Sequence, residues 1–272
     1  MKQQTVKNIV SIRGIGLHTG EQSTVKIAPG YPYSGIVFFL TDPRKREIVK
    51  AGSPSVTDTT LSTNIGTDLT SVKTVEHLMA AIHVLGIDNL EISVDGLEIP
   101  ILDGSSVMWY HLLKSAGIVE QNEDRQYFEV SRSISVENDE NFVLVEPYDG
   151  LTIDMTIKFD HPLIGEQSYI YNITDDFENI ASARTFGIMD HIKMAQDKGL
   201  LKGGSLDNAI VLDDNGIINP PLRFPDEFVR HKILDMLGDI YMNGPIKCYI
   251  KSCCSGHYLN NVIMNKVIKD AR

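Results

Sequence analysis

The sequence predicts an α+β protein of two domains, residues 1–124 and 125–272. Three observations predict it. Short strand-like runs alternate with stretches of helical period in both halves. Each half holds several strands and two helices, the ingredients of a sheet layered with helices. A polar break, QNEDRQ at 121–126, lies between them. The 272 residues suffice for two cores of ordinary size.

Taken in order, TVKNIVSIRGIGLHTG reads as a strand running into a Gly-rich turn, and GIVFFL as a strand. SVKTVEHLMAAIHVLG has helical spacing and stops at Gly86; NLEISVDG is the strand after it. EIPILDGSS is a loop leading into the helix SSVMWYHLLKSAG, which stops at Gly117. Beyond the break, QYFEVSRSISVE, FVLVEP and LTIDMTIKF read as strands. A helix is expected over 181–197, then the turn LKGGS and the strand NAIVL. Pro220, Pro221 and Pro225 interrupt the chain before a helix at 229–241. IKCYIKS is a strand and YLNNVIMNKVI a closing helix. No short-period repeat or low-complexity segment is present.

Composition narrows the function. Net charge is −11 with no basic block, which argues against a nucleic-acid or anionic-membrane surface. A small anionic substrate remains compatible, since a few local lysines or arginines would hold it. No apolar run approaches the roughly 20 residues that cross a bilayer, and MKQQTVKNIV lacks the apolar core of a signal peptide. No stable membrane insertion and a cytoplasmic location are therefore expected. Cys248, Cys253 and Cys254 are odd in number with one adjacent pair, which is no disulfide framework and fits a reducing compartment.

The stretch VRHKILDMLGDIY, 229–241, carries the strongest chemical signal. Val229, Ile233, Leu237 and Ile240 form a buried stripe, while His231, Asp235 and Asp239 recur four residues apart on another. Residues at i and i+4 share a helix face, so His231 and Asp235 project side by side, a nitrogen and an oxygen donor suited to a metal such as zinc. Asp239 could complete that site or orient a histidine. The alternative is a solvated polar face. In KTVEHLMAAIH, 73–83, the adjacent Glu76 and His77 splay about 100° apart on a helix, so one could bind a metal while the other addresses a water on it; the alternative is a surface pair. The spacing is not that of H-E-x-x-H. His83 reads as structural or exposed, His257 in SGH as a loop residue, and Thr185 in ARTFG as a hydroxyl donor or a turn residue.

These pieces occur in one order, and the chain resembles the UDP-3-O-acyl-N-acetylglucosamine deacetylase family. The resemblance is carried by GIGLHTG (14–20), KTVEHLMAA (73–81), LGIDNLEI (85–92), EIPILDGS (98–105), FDHPLI (159–164), ARTFGIMD (183–190), LKGGSLDNAIV (201–211), LRFPDEFVRHKILDMLGDIY (222–241) and SGHYLNN (255–261). It implies two similar α+β domains, each a mainly antiparallel sheet layered against two helices, with the active site between them. It implies hydrolysis of the N-acetyl group of UDP-3-O-acyl-N-acetylglucosamine, the committed step of lipid A synthesis, with zinc as cofactor. Ferrous iron suits the same ligands. A monomer is implied.

Carried over by position, the resemblance makes His77, His231 and Asp235 the metal ligands, leaving a fourth position open. Glu76 would be the general base and His257 the general acid, with Asp239 as its partner. Zinc and the Thr185 hydroxyl would receive negative charge on the attacked carbonyl oxygen, and Lys232 would add a positive charge nearby. Phe159 would pack on uracil. Phe186, Ile188 and Met194 would line the acyl passage, His18 would lie close to the site, and Lys251 would reach the nucleotide phosphates. Two departures stand out. Cys253-Cys254 separates Lys251-Ser252 from Ser255-Gly256-His257, which family members commonly join; and Ser62 stands where several members have a cysteine able to take part in binding a second, inhibitory zinc. The competing readings are an inactive nucleotide-sugar-binding relative with a regulatory role, and a structural metal site in an interaction protein. A structural site closes four positions with protein ligands, and three are found.

Overall fold

The computed structural model describes residues 1–42 and 45–270. Two sheets form its two halves, and their strands follow the same order. In the first, Val10–Ile15, Gln22–Pro29, Leu90–Asp95, Ile36–Asp42 and Lys45–Lys50 lie side by side. In the second, the order is Ile134–Asn138, Asn141–Glu146, Ile246–Cys253, Leu151–Lys158 and Glu166–Asn172, with Phe128–Glu129 added beside Ile246–Cys253. In each, the last strand in sequence inserts at the centre, antiparallel to the second and parallel to the third. That parallel neighbour requires a crossover, and each crossover contains a helix: α1 (Glu76–Val84) in the first half and α5 (Glu227–Ile240) in the second. Each half carries a second helix after its sheet, α2 (Val107–Ala116) and α6 (His257–Asp270). The remaining helices, α3 (Glu178–Ala181) and α4 (Met189–Asp197), belong to an insert.

Alternation explains which face of each sheet is covered. In Ile246–Cys253, Ile246, Cys248, Ile250 and Ser252 are buried while Lys251 is exposed on the opposite face. Two hydrophobic clusters follow, one centred on Phe38, Leu78, Ile92 and Trp109, the other on Ile153, Phe228, Leu237 and Ile250. They meet where α1 packs on α5. Every residue from Glu76 to His83 is buried, so α1 is enclosed on all sides. Gly238 permits the approach: a Cβ there would collide with the backbone carbonyl of Glu76. Gly86, with φ of 65°, ends α1 as its αL cap; its amide and that of Ile87 donate to His83 and Ile82 carbonyls.

Both halves carry an insert at the same place, between the fourth strand and the first helix. The first is a small sheet of Val56–Asp58, Asn64–Gly66 and Ser71–Val72; the second holds α3, α4 and the sheet Phe186–Ile188, Ile210–Asp213 and Gly216–Ile217.

Two expectations are corrected here. The helix expected over 181–197 is interrupted: the Thr185 amide donates to the Gly104 carbonyl, the Ile210 amide to the Thr185 carbonyl, and Phe186–Ile188 is a strand paired with Ile210–Leu212. The polar stretch at 121–126 is largely strand, because Ile118–Asp124 pairs with Lys2–Val6. Among the described residues no helix is long and apolar enough to cross a membrane.

Candidate metal centre and cleft

α1 and α5 bring their polar residues to one point. His77 Nε2 and His231 Nε2 each lie 3.5 Å from Asp235 Oδ1. The three donor atoms fall within 4.8 Å of one another, and all three residues are buried. His231 Nδ1 sits 3.1 Å from the Ala183 carbonyl, which requires a proton on Nδ1 and turns the Nε2 lone pair to the cluster. Lys232 Nζ donates to Asp235 Oδ2 at 2.6 Å. Oδ1 therefore remains, buried and without a hydrogen-bond partner. A buried carboxylate oxygen with no donor is costly, and the His231 Nε2 lone pair facing it makes the cost larger, with His77 Nε2 at the same distance. A cation resolves all three, and this nitrogen–nitrogen–oxygen set fits a divalent metal. Burial lowers His231 to about 4, keeping it neutral as a ligand must be. Burial opposes the Asp235 charge, but His231 and Lys232 outweigh it and hold the carboxyl well below its usual range.

Glu76 sits one residue before His77, and its Oε2 accepts the Thr63 amide at 3.0 Å. Burial raises it to about 7. On the far side, His257 opens α6. Its Nδ1 lies 2.9 Å from Asp239 Oδ2, leaving Nε2 4.0 Å from Asp235 Oδ2. Burial alone would lower His257, as would its place at a helix N-terminus; the charge and hydrogen bond of Asp239 prevail and raise it to about 9. Asp239 is itself fully engaged: Asn260 Nδ2 donates to Oδ2 at 2.8 Å and Thr63 Oγ1 to Oδ1 at 2.5 Å.

Glu76, His77, His231, Lys232, Asp235 and His257 all border a cleft of about 410 Å³, together with Thr185, Phe159, Phe186 and Ile188. Asp239 lies behind His257. An adjoining apolar chamber of about 270 Å³ shares Leu17, Phe186, Ile192 and Leu201 with the cleft and extends to Leu206 and Val211. Met194 is 55% exposed and borders neither space. Lys251 lies on the outer sheet face, away from the cleft. His18 is buried beside Glu98 with neither ring nitrogen bonded, and burial lowers it. Ser62 is buried with its hydroxyl donating to Asn64. His83 stacks on Tyr241, with its Nδ1 2.9 Å from the Leu237 carbonyl.

Several supporting residues gave no sequence signal. Thr63 binds both Glu76 and Asp239. Thr74, held at φ 61° two residues before α1, donates to buried Glu98, which also receives the His18 and Thr19 amides. Ser106 donates to the His77 carbonyl. Buried Glu227, at the start of α5, accepts from the Arg184 side chain and from the Arg184 and Arg223 amides, tying the Thr185 segment to α5. Each pair except Arg223–Glu227 is distant in sequence, so no periodicity could reveal it.

Two layered α+β halves meeting at a buried His–His–Asp cluster define a protein with a cleft fitted for a metal ion. The family model for UDP-3-O-acyl N-acetylglycosamine deacetylase matches residues 3–269, and the chain belongs to that metalloenzyme family. Relatives bearing the name UDP-3-O-acyl-N-acetylglucosamine deacetylase include those of Haemophilus influenzae (strain PittEE), 44% identical over 98% of this chain and 90% of the relative, and Oleidesulfovibrio alaskensis, 43% identical over 98% and 89%. That of Nitratiruptor sp. is 41% identical over 99% and 91%.

Proposed function

We propose that this chain hydrolyses the N-acetyl group of UDP-3-O-acyl-N-acetylglucosamine, releasing acetate and UDP-3-O-acyl-glucosamine, the committed step of lipid A synthesis. It works in the cytoplasm as a monomer, with residues 1–124 and 125–272 as its two domains. The observation that carries the reading is the unpartnered Asp235 Oδ1 facing two imidazole nitrogens, flanked by one buried carboxyl and one buried cationic imidazole.

His77, His231 and Asp235 hold zinc. Zinc, when bound, supplies Lewis acidity and brings the pKa of water to about 7. Lys232 engages Asp235 Oδ2 and so presents the carboxylate through one oxygen. Glu76, raised to about 7 by burial, is the base that takes the proton of the attacking water. The Thr63 amide fixes which Glu76 oxygen stays engaged, leaving the other for that proton. As the carbonyl carbon becomes tetrahedral, Thr185 and Lys232 lie at the cleft wall to receive charge on its oxygen. His257 then gives its Nε2 proton to the departing amine. Asp239 keeps it charged until that moment.

The cleft and its apolar chamber supply two further needs of this substrate. Phe159, packed edge-on to Phe186, offers a face to uracil. Leu17, Phe186, Ile192, Leu201 and Leu206 form the acyl passage, with Ile188 at its mouth on the cleft side. The test is acetate release from the nucleotide sugar before chelation, after it, and after zinc restoration. Loss on chelation with recovery on zinc is expected. A folded, zinc-loaded protein that releases no acetate would overturn the reading and favour an inactive nucleotide-sugar binder.

A further inference from the structure

We propose that Cys253 and Cys254 are a modification site, an adjacent dithiol that a disulfide oxidant closes reversibly, displacing the loop that carries His257. The effect on rate rests on the role given to His257 above; the modification itself does not.

The two residues occupy the middle of a built turn. Ser252 and Ser255 are buried, and Ser252 Oγ donates to Ser255 Oγ at 2.7 Å, closing the turn around the pair. The Cys254 amide donates to the Thr156 carbonyl at 2.9 Å. Cys254 has φ of 51°, a conformation few side chains adopt. Both thiols are partly exposed, and their sulfurs are 3.8 Å apart. Cys248, by contrast, is fully buried and its thiol is pushed up to about 12, so the chain contains its own unreactive control. Burial and Cys253 raise the Cys254 thiol, while the Lys158 amide and charge work the other way.

The step balances with glutathione disulfide as oxidant. One cysteine thiolate attacks a glutathione sulfur, breaking its disulfide and expelling a glutathione thiolate. The neighbouring thiolate attacks the resulting mixed disulfide, forms the Cys253–Cys254 bond and expels the second glutathione. The enzyme loses two electrons, the glutathione disulfide gains them, and the two thiol protons end on the two glutathiones. Consecutive Cα atoms are about 3.8 Å apart, below the roughly 4.4–6.8 Å common for disulfides. Such a bond is strained and readily reduced, the property of a reversible modification.

Closing the sulfurs must twist the peptide between the cysteines and the Ser252–Ser255 turn. Only Gly256 separates that turn from His257, whose hold on Asp239 depends on where α6 begins. The metal ligands lie on α1 and α5 and are not connected through this turn. A displacement near 1 Å at a proton donor costs up to about a hundredfold, so kcat should fall about tenfold to a hundredfold while bound zinc is retained.

The experiment treats zinc-loaded protein with glutathione disulfide. It follows the mass of the peptide holding 253–254, the free thiol count, bound zinc and acetate release, before and after dithiothreitol. The expected result is loss of two hydrogens from that peptide, two thiols consumed, zinc unchanged, and a fall in rate that dithiothreitol reverses. Cys253→Ser and Cys254→Ser should keep the basal rate and lose the response. A pair that stays reduced, or a disulfide that leaves the rate unchanged, overturns the proposal. A reduced enzyme with no acetate release would count against the deacetylase reading instead, and mass and thiol count would still decide the disulfide.

Discussion

Replacing Asp239 by Asn isolates one charge. The amide oxygen can take the place of Oδ2 and accept from His257 Nδ1 and Asn260 Nδ2, while the amide nitrogen takes the place of Oδ1 and donates to Thr63 Oγ1, whose own proton is free to turn. Shape and hydrogen bonds survive; the carboxylate charge does not. Asp239 is the foremost influence raising His257 from 6.5 to about 9. At about 1.4 kcal/mol per pH unit, that is about 3 kcal/mol in favour of the imidazolium. A raised histidine is charged below its pKa and loses its proton as pH climbs through it. The wild-type rate should therefore fall on the alkaline side near pH 9, and the Asn variant's alkaline limb should fall near or below pH 6.5. With the pKa at 6.5, the charged fraction drops about fourfold at pH 7 and about thirtyfold at pH 8. Initial rates of acetate release across pH, for both holoenzymes side by side, measure this; zinc content should match. An unmoved alkaline limb, or equal loss of zinc and rate, would contradict this role of Asp239.

Other perturbations have equally definite outcomes. Glu76→Gln should lower kcat by roughly 10²–10⁴ while zinc content, read by elemental analysis, stays near wild type. Thr63→Val removes the hydroxyl donated to Asp239 but keeps the amide donated to Glu76. At about 1.5–3 kcal/mol for a hydrogen bond to a charge, kcat should fall about tenfold to a hundredfold, with Thr63→Ser near wild type. Gly238→Ala drives a methyl into the Glu76 backbone and should cost about 1–3 kcal/mol in denaturant unfolding, together with most activity. Glu227→Ala leaves the Arg184 charge buried and unpaired, a loss of about 3–5 kcal/mol seen as a lower unfolding midpoint. Excess zinc should inhibit this enzyme less than relatives with cysteine at the position of Ser62, because a buried hydroxyl bonded to Asn64 is a poor ligand; equal inhibition in a zinc titration would contradict that.

What could be read from the sequence was whatever one element encodes by itself. The i, i+4 spacing put His231, Asp235 and Asp239 on one helix face, and the run around Glu76 marked a helix, though not that it is buried. Contacts between elements left no trace. Thr63 meets Asp239 across 176 residues, and Arg184 meets Glu227 across 43; nothing local distinguishes either from surface residues. The helix expected over 181–197 is broken where the Thr185 amide donates to the Gly104 carbonyl and the Thr185 carbonyl accepts the Ile210 amide, after which the strand-favouring Phe186 and Ile188 pair with Ile210 and Leu212. The stretch 121–126 looked like a break since Lys2–Val6, the partner of the strand Ile118–Asp124, lies at the other end of its half. The duplicated strand order was also hidden, because the halves share a topology and not a residue pattern. Met194 was misplaced by helical spacing alone: α4 is present, but it turns this residue to solvent and turns Ile192 to the apolar chamber.

His77, His231 and Asp235 are expected to hold one metal ion on which hydrolysis depends. Metal-free protein should be titrated with zinc while acetate release is followed, beside Asp235→Ala. Activity rising to a plateau at one zinc per chain, with no recovery in the variant, is the predicted result. Full activity in the metal-free protein, or equal recovery in the variant, would contradict it.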